Sequence, residues 1–425
     1  MRVLLITPIF HPEPSYLRGL PFARELVRRG IDVDVLTGFP NYPQGRLFPG
    51  YRQRLCQRET INGVQIMRVP SYISHDSSGW RRAISYLSIS ASTSVQGPFR
   101  GRRPDLVHVF QGIATLCLTA DLIHLIRGSP YLLDLSDLWP ESVLDSGMFR
   151  LPAGAWLLNA WCNHTYRWAK HIVTLSEGVK GKLLERGAPE AKVTVLYNWC
   201  DAELEKPLPA REASSDLYGL RDTFNVIYAG TFGPLQALRT VLQAAELVQP
   251  RKPRVRFVLI GTGLEEVSLK RLATEKGLQN VIFLPWQPTE NLSGILAQAD
   301  ATLVHLKDSP LNRVGIPSKV QHCLAMGKPI LIGALGSAPA LVEQAQAGIR
   351  FDPENAVQLA TAVERLEAVP RVEREAMGQR GRDYYLANLS FDIGVTKLIG
   401  IYERTLACGG RSIGQRPAIS SALQS

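Results

Sequence analysis

Between residues 313 and 330 the chain gathers side chains that suit an anion. The run G-I-P-S-K-V (315–320) is followed by L-A-M-G-K-P-I (324–330). Pro317 breaks the preceding segment, Ser318 is placed to cap a helix, and Lys319 falls in that helix's first turn. Free backbone N–H groups, a hydroxyl and an ammonium then meet at one helix start, where a diphosphate fits. Arg313 adds a second cation, which suits a pyrophosphate. Taken alone, the same pattern also describes a plain capped helix with a solvated lysine.

Two glycine turns lie upstream, Y-A-G-T-F-G (228–233) and L-I-G-T-G (259–263). Gly230, Thr231, Gly261 and Gly263 sit where a ligand can approach backbone after a strand. Neither turn matches G-x-G-x-x-G, so the dinucleotide fingerprint is absent. Their recurrence within one domain points to a nucleotide. In the first half, L-D-L-S-D-L-W-P-E-S (133–142) sets Asp134, Ser136, Asp137 and Glu141 at and just beyond a strand end. Asp137 is the candidate active-site carboxylate, able to take a proton from a hydroxyl or to fix a sugar hydroxyl. An Asx-turn before a helix is the plainer alternative. The paired acids Asp32 and Asp34 enter a strand just after Gly30, at the wrong end for a ligand, and read as structural. Trp156, Trp161 and Trp168 with Arg150, Arg167 and Lys170, and the segment W-R-R-A-I-S-Y-L (80–87), suit either contact with anionic lipid or an ordinary amphipathic core helix.

These groups need strands that end near them. R-V-L-L-I-T-P (2–8), a helical pattern closed by Gly30 and D-V-D-V-L-T-G (32–38) form a β-loop-α-β unit and imply a parallel sheet. V-Q-I-M-R-V-P, D-L-V-H-V-F, Y-L-L-D-L-S, H-I-V-T-L-S and K-V-T-V-L continue it. The alternation restarts at F-N-V-I-Y-A and runs through R-F-V-L-I, V-I-F-L-P, A-T-L-V-H-L and P-I-L-I-G-A, the last clear strand, before a mostly helical stretch over 354–405. The fold class is therefore α/β, with two doubly wound domains facing across a cleft.

Composition agrees. The 425 residues exceed one ordinary core and suit two domains. No apolar run is long enough to cross a bilayer, and the first ten residues read as a strand and not as a signal peptide. Six cysteines are scattered singly, which argues against structural zinc or a disulfide framework and for a reducing compartment. The net charge of +10 is concentrated in the first half, with 23 Lys and Arg against 15 Asp and Glu in residues 1–200. Such a half attracts anions; without a zinc-finger, RRM or KH pattern, nucleic acid is not the expected partner.

Together these pieces resemble glycosyltransferase family 4, nearest its bacterial exopolysaccharide and colanic acid branch. The resemblance rests on P-N-Y-P-Q-G (40–45), D-L-W-P-E (137–141), V-L-Y-N-W-C-D (195–201), Y-A-G-T-F-G, L-I-G-T-G, V-I-F-L-P (281–285), P-S-K (317–319) and L-A-M-G-K-P (324–329), in family order over nearly the whole chain. It implies a GT-B fold with an acceptor domain over 1–201, a donor domain over 223–384 and a helix over 385–408 crossing back to the first domain; the polar, weakly periodic stretch 202–222 reads as the linker between them, and the polar, Gly/Ser-rich 409–425 as a disordered tail. It implies retaining, metal-independent transfer from a nucleoside-diphosphate sugar, with no cofactor. The acceptor is expected to be a polyprenyl-diphosphate-linked saccharide, in exopolysaccharide or O-antigen synthesis, at the inner face of an anionic plasma membrane. The donor would meet Gly230, Thr231, Gly261, Gly263, Phe283, Leu284, Arg313, Pro317, Ser318, Lys319 and His322, its base lying along Gly261–Gly263 and Phe283–Leu284. Ser15, Tyr16, Arg18, Gln111, Ser136 and Glu141 fall on the acceptor side, with Asp137 catalytic.

The chain departs from the family pattern at several points. Val314 and His322 stand where many members carry two glutamates. Thr231 and Gln236-Ala237 stand where an Arg/Lys pair is usual, and Ser136 replaces a common histidine. These losses leave two further readings open: a relative that binds nucleotide sugar within an assembly complex without transferring it, and a nucleotide-sugar epimerase.

Overall fold

The computed structural model describes residues 1–15, 17–74, 79–145, 152–200, 202–206 and 218–407. The first domain is built on β1 (Arg2–Ile6), β2 (Asp32–Gly38), β3 (Gln57–Ile61), β4 (Val64–Val69), β5 (Leu106–Gln111), β6 (Tyr131–Leu135), β7 (His171–Thr174) and β8 (Val193–Val195). Their order in the sheet is β3-β4-β2-β1-β5-β6-β7-β8. The second domain holds β9 (Phe224–Ala229), β10 (Val255–Ile260), β11 (Val281–Leu284), β12 (Ala301–His305), β13 (Ile330–Gly333) and β14 (Gly348–Phe351), ordered β11-β10-β9-β12-β13-β14. All pairings are parallel except β3 with β4. Strand order reverses at β1/β5 in one sheet and at β9/β12 in the other, and ligands of such sheets bind outside the carboxyl ends at those reversals.

The apolar runs became strands because helices cover both sheet faces, which removes the need for polar alternation. β6 and β12 are buried along their whole length. The sequence pattern missed β3 and β14. β3 reads Q-R-E-T-I, a polar edge strand half exposed along its length; β14 is four residues at the opposite kind of edge, in the second sheet. The first helix, Leu20–Arg28, starts after Gly19, carries Pro21 in its first turn and buries Phe22, Ala23 and Leu26 against the sheet.

The last two helices span Arg371–Asn388 and Phe391–Ala407, with the break at Leu389–Ser390, a few residues beyond the expected boundary near 385. The first of them packs on the second domain. Gly378 allows this, since a Cβ there would lie 2.1 Å from the Gly327 carbonyl oxygen. The final helix returns to the first domain. Its Val395, Leu398, Ile401 and Tyr402 join one apolar cluster with Leu5, Phe22 and Val33. Gly394 is bare because a Cβ would meet the Trp199 ring at 2.3 Å. The expected tail and most of the expected linker lie outside the described residues.

One polar network ties this return together. Arg18 Nε donates to Asp134 Oδ2 at 2.6 Å, with side chains 1% and 6% exposed. His108 Nε2 lies 3.1 Å from the same oxygen, and its Nδ1 lies 2.6 Å from the Tyr402 hydroxyl on the final helix. The Arg18 guanidinium stacks 4.4 Å from the Trp199 ring centroid. Burial alone would raise the Asp134 carboxyl; Arg18 and His108 more than offset it and hold its pKa below the usual carboxylate range. Burial depresses the His108 imidazole, so it is neutral, donating from Nε2 to the carboxylate and accepting the Tyr402 O–H at Nδ1.

Removing one partner of a buried pair strands the other charge. Arg18→Met is expected to cost about 3–5 kcal/mol in urea unfolding, and Tyr402→Phe about 1 kcal/mol. Because the folded-state pKa of Asp134 is depressed, its stabilisation is complete above the unfolded-state pKa and is lost as pH falls through the folded value. The difference between wild type and Asp134→Asn in unfolding midpoint should therefore shrink on acidification. An Asp134→Asn variant as stable as wild type at neutral pH would contradict this account.

Candidate functional site

The carboxyl edges of the two sheets meet. Ser176 and Gly178 follow the carboxyl end of β7; Val314 and Ser337 follow those of β12 and β13. Ser176 caps its own helix by accepting from Val179 N at 3.1 Å, and its hydroxyl donates to the Val314 carbonyl. Gly178 N donates to Ser337 Oγ at 3.2 Å. A Cβ on Gly178 would come within 2.7 Å of both Ser337 and Val314, so only glycine lets the domains approach this closely. Leu311 and Val314 pack against the first domain's core, and Leu175 and Tyr197 against the second's. Val314 is thus committed to the interdomain contact.

A pocket of about 160 Å³ opens in the second domain at the carboxyl ends of β9 and β10, beside the helix Ser318–Met326. Gly230, Gly261, Trp286, Lys319, His322 and Cys323 are among its walls. Lys319 is partly exposed as a residue, but its ammonium is packed 3.4 Å from the Tyr228 ring centroid. Tyr228 is fully buried and donates its hydroxyl to the Thr231 carbonyl at 2.7 Å. Among the described residues no carboxylate pairs with Lys319, and burial pulls its pKa down to about 7. A dry ring contact returns about 2 kcal/mol. The drop in pKa represents roughly 5 kcal/mol. The ring therefore does not satisfy the ammonium, and an anion would.

Glycine is required around this lysine. Gly230 has φ 149°, and a Cβ there would lie 2.8 Å from Lys319 Nζ. Gly261 has φ 145°, with its virtual Cβ 1.9 Å from the Gly230 carbonyl oxygen. Gly263 is similarly blocked by the Phe232 backbone at 2.3 Å. Thr231 is exposed at the turn between them. His322, one turn after Lys319, lines the same pocket.

Several sequence expectations are corrected. Ser318 is the first helical residue, and Pro317, at φ −66° and ψ 140°, occupies the cap position without a side-chain hydrogen bond. Arg313 is bound bidentately to Asp308 at 2.7 Å for each contact, on the exposed end of the helix Pro310–Val314, and does not line the pocket. Leu284 is buried in the core, and Phe283 packs against Phe232 with ring centroids 6.3 Å apart; neither offers a platform for a base. Trp286, 67% exposed, and Gln287 line the pocket instead. Arg18 is buried in its ion pair with Asp134 and is closed to an acceptor. The Glu141 carboxylate is held by Arg186 at 2.6 Å, which positions the short helix Glu141–Asp145 and leaves that oxygen unavailable to a ligand.

On the first domain, Asp137 lies two residues past β6, exposed, with no described hydrogen bond or ion pair. Local desolvation raises its carboxyl pKa. Ser136 Oγ donates to the Gln111 carbonyl at 2.6 Å, joining the ends of β5 and β6. The Gln111 side-chain oxygen is buried without a described partner. Ser15 is partly exposed in the loop after β1; Tyr16 and Arg150 lie outside the described residues. Two residues that the pattern missed hold the surroundings. Glu13 accepts from the backbone N–H groups of Phe10, Asn41 and Tyr42 at 3.0, 2.8 and 2.7 Å, clamping the 40–43 loop to the loop after β1. His305 Nδ1 donates to the Gln236 carbonyl at 2.8 Å and its Nε2 accepts Glu354 N at 3.0 Å, fixing the turn before the Arg239–Val248 helix. Asp32 and Asp34 sit at the amino end of β2, away from the carboxyl edges that meet the second domain. Among the described residues no three His, Cys, Asp or Glu gather as metal ligands.

Comparison with known proteins agrees with this geometry. Residues 20–199 match the model of the glycosyl transferase 4-like domain, and residues 214–384 that of the glycosyl transferases group 1. The chain is a glycosyltransferase built of these 4-like and group 1 domains, which between them match most of its length. It is 25% identical over 324 residues to the protein named "Putative colanic acid biosynthesis glycosyl transferase WcaI" of Escherichia coli, covering 73% of this chain and 77% of that one. It is 26% identical to the "Probable glycosyltransferase WbjE" of Pseudomonas aeruginosa, covering 68% and 74%. The crystal structure of Anabaena HepE in complex with UDP and glucose superposes with a TM-score of 0.66 at 14% identity, covering 94% of this chain and 99% of that one, and shows the shared GT-B fold.

The depressed Lys319 pKa gives this glycosyltransferase a titration signature. An anion bound beside the lysine restores its proton, so above about pH 7 binding takes up a proton. The affinity for a nucleoside-diphosphate probe should fall by up to about tenfold per pH unit above that point. Calorimetry in buffers of different ionisation enthalpy reads the proton directly; Lys319→Met should abolish both the uptake and the slope. A pH-independent affinity in the wild type would refute the placement.

Proposed function

We propose that this glycosyltransferase moves a hexosyl or hexosaminyl unit from a nucleoside-diphosphate sugar to a polyprenyl-diphosphate-linked saccharide, in bacterial exopolysaccharide or O-antigen lipopolysaccharide synthesis. The observation that carries the reading is the unpaired, desolvated Lys319 ammonium in a glycine-walled pocket beside the meeting edges of two sheets. The diphosphate binds Lys319 and the backbone N–H groups at the start of the Ser318–Met326 helix. Trp286 takes the base, and His322 hydrogen-bonds the ribose. The sugar extends toward Asp137, whose exposed and partly desolvated carboxylate orients a hydroxyl. The acceptor oxygen bonds to the anomeric carbon on the face from which the phosphate leaves. The C–O bond to phosphate breaks, and the departing phosphate oxygen takes the hydroxyl proton. The anomeric configuration is retained, and the leaving charge is met by Lys319 and amide dipoles without a metal ion.

Peripheral attachment to an anionic membrane is part of the proposal. Among the described residues no helix is long and apolar enough to cross a membrane. Trp80, Ile84 and Leu87 share one exposed face of the Gly79–Gln96 helix, and Trp156 and Leu157 are exposed on the Pro152–Trp168 helix. Trp161 is different: it packs into the core and donates to the Ala114 carbonyl at 3.2 Å.

One observation favours a second reading, a binding partner without transfer activity: the Val314 side chain is consumed by interdomain packing, and among the described residues lining the pocket there is no carboxylate. Incubating the purified protein with a panel of nucleotide sugars separates the two. Sugar release or transfer is expected from the wild type. Asp137→Asn should lower kcat by at least about 100-fold with donor KM little changed. Trp286→Ala should raise donor KM about tenfold. Binding without any turnover of any donor, with or without lipid-linked acceptor, would sink the transferase reading; interconversion of the free nucleotide sugar would indicate an epimerase.

A further inference from the structure

A second pocket, about 340 Å³, lies on the first domain where the helix Gly79–Gln96 ends and leaves the sheet uncovered. Its floor is Leu4 and Met67 from β1 and β4, and its polar rim is Asp34, Arg58, Arg100 and Arg102. Leu4 is in register with Asp34, Asp34 with Gln65, and Arg58 with Met67, so these residues share one sheet face. The pocket opens toward the amino half of β1 and β2, away from the carboxyl edges that meet the second domain.

Three features single it out. First, the side chains of Arg58, Arg100 and Arg102 have no described hydrogen bond or ion pair, although all three border one cavity. Second, the loop carrying two of them is fixed: Arg127 donates to the carbonyls of Pro98, Arg100 and Gly101, and Ser129 Oγ donates to the Pro104 carbonyl at 2.7 Å. Third, Asp34 stands half-buried among the arginines without closing an ion pair with Arg58 or Arg102; burial raises its carboxyl pKa while Arg2 and Arg102 pull it down. Three exposed guanidiniums bordering one cavity, none closed off in a described ion pair, make a rim that suits a phosphate. A carboxylate at the same rim repels a bare phosphate and instead accepts from a hydroxyl.

We propose that this pocket binds a phosphorylated polyol, its phosphate on Arg58, Arg100 and Arg102 and a hydroxyl on Asp34. The ligand is either a free polyol phosphate or the headgroup of an anionic lipid. Just beside the pocket, Val95 and Phe99 are exposed and continue the apolar face that begins at Trp80, which is where a lipid tail would lead. The proposal does not rest on the transferase reading.

The test uses the full chain with two probes. sn-Glycerol 3-phosphate is titrated by calorimetry, with inorganic phosphate as the control. Vesicles of phosphatidylglycerol and phosphatidylcholine are co-sedimented against phosphatidylcholine alone. Arg58→Ala and Arg102→Ala are surface changes that preserve the fold. Each should weaken the probe that binds by at least about tenfold, while UDP affinity stays within about twofold. Arg103→Ala, outside the pocket with the same charge change, should have a smaller effect. Asp34→Asn should weaken glycerol 3-phosphate and strengthen inorganic phosphate, whose repulsion by the carboxylate is removed. Binding of the soluble probe identifies a free ligand; binding of the vesicles alone, sensitive to Arg58 and Arg102 beyond Arg103, identifies the headgroup. The proposal is overturned if neither probe binds above its control, if binding survives Arg58→Ala and Arg102→Ala, or if all three arginine variants weaken it equally.

Discussion

An arginine enclosed by aromatic rings must find a carboxylate or give up its place in the core. Arg18 finds Asp134, 116 residues away in sequence. The carboxylate in turn fixes His108 as one neutral tautomer, and that tautomer accepts the hydroxyl of Tyr402 from the final helix. Each partner has a single acceptable geometry, so the network sets three things together: the loop after β1, the register of the helix Leu20–Arg28 on the sheet, and the docking of the carboxyl-terminal helix. Trp199, under the guanidinium and against Gly394, locks the crossover segment into the same cluster. The loops at the carboxyl edge of the first domain inherit their positions from this core.

The second domain relies on a different economy. Its cation is held by glycine backbone and a ring, and its counter-charge is left for a ligand. The lysine is useful to an anion because the protein withholds a carboxylate from it. Arg313, by contrast, already has Asp308. Two cations six residues apart thus have opposite roles, and the difference lies in what surrounds them. Between the domains, Ser176, Gly178 and Val314 make a close contact of few atoms, with bare glycine at its centre.

Most strands and the two α/β halves were legible because parallel strands covered on both faces appear as uninterrupted apolar runs. β3 escaped notice because an edge strand keeps polar residues, and β14 because four residues carry too little pattern. Lys319 and the glycine turns were legible because proline, glycine and a cation at a helix start have few other uses. Ser318 was placed one position early; Pro317 already has the extended backbone of a cap. The base platform was put on β11, yet a strand buried on both faces spends its side chains on packing, so the free aromatic comes after it, at Trp286. Arg18 was misread as accessible because its burial depends on a partner across the domain, and Arg313 because nothing local announces its pairing with Asp308.

The final helix has a bearing on how the molecule is made. The first domain's core includes Val395, Leu398, Ile401 and Tyr402, so its sequence is split by some two hundred residues of another domain. As the nascent chain leaves the ribosome, the first sheet can assemble early, but Arg18, Asp134 and His108 then wait without their last hydroxyl partner, and the Trp199 face stays open. The second domain, whose strands and helices are contiguous, can close before the first is complete. Separating the halves as independent fragments at the linker would consequently give one self-sufficient unit and one with a gap in its interior, unless the 391–407 segment were supplied alongside.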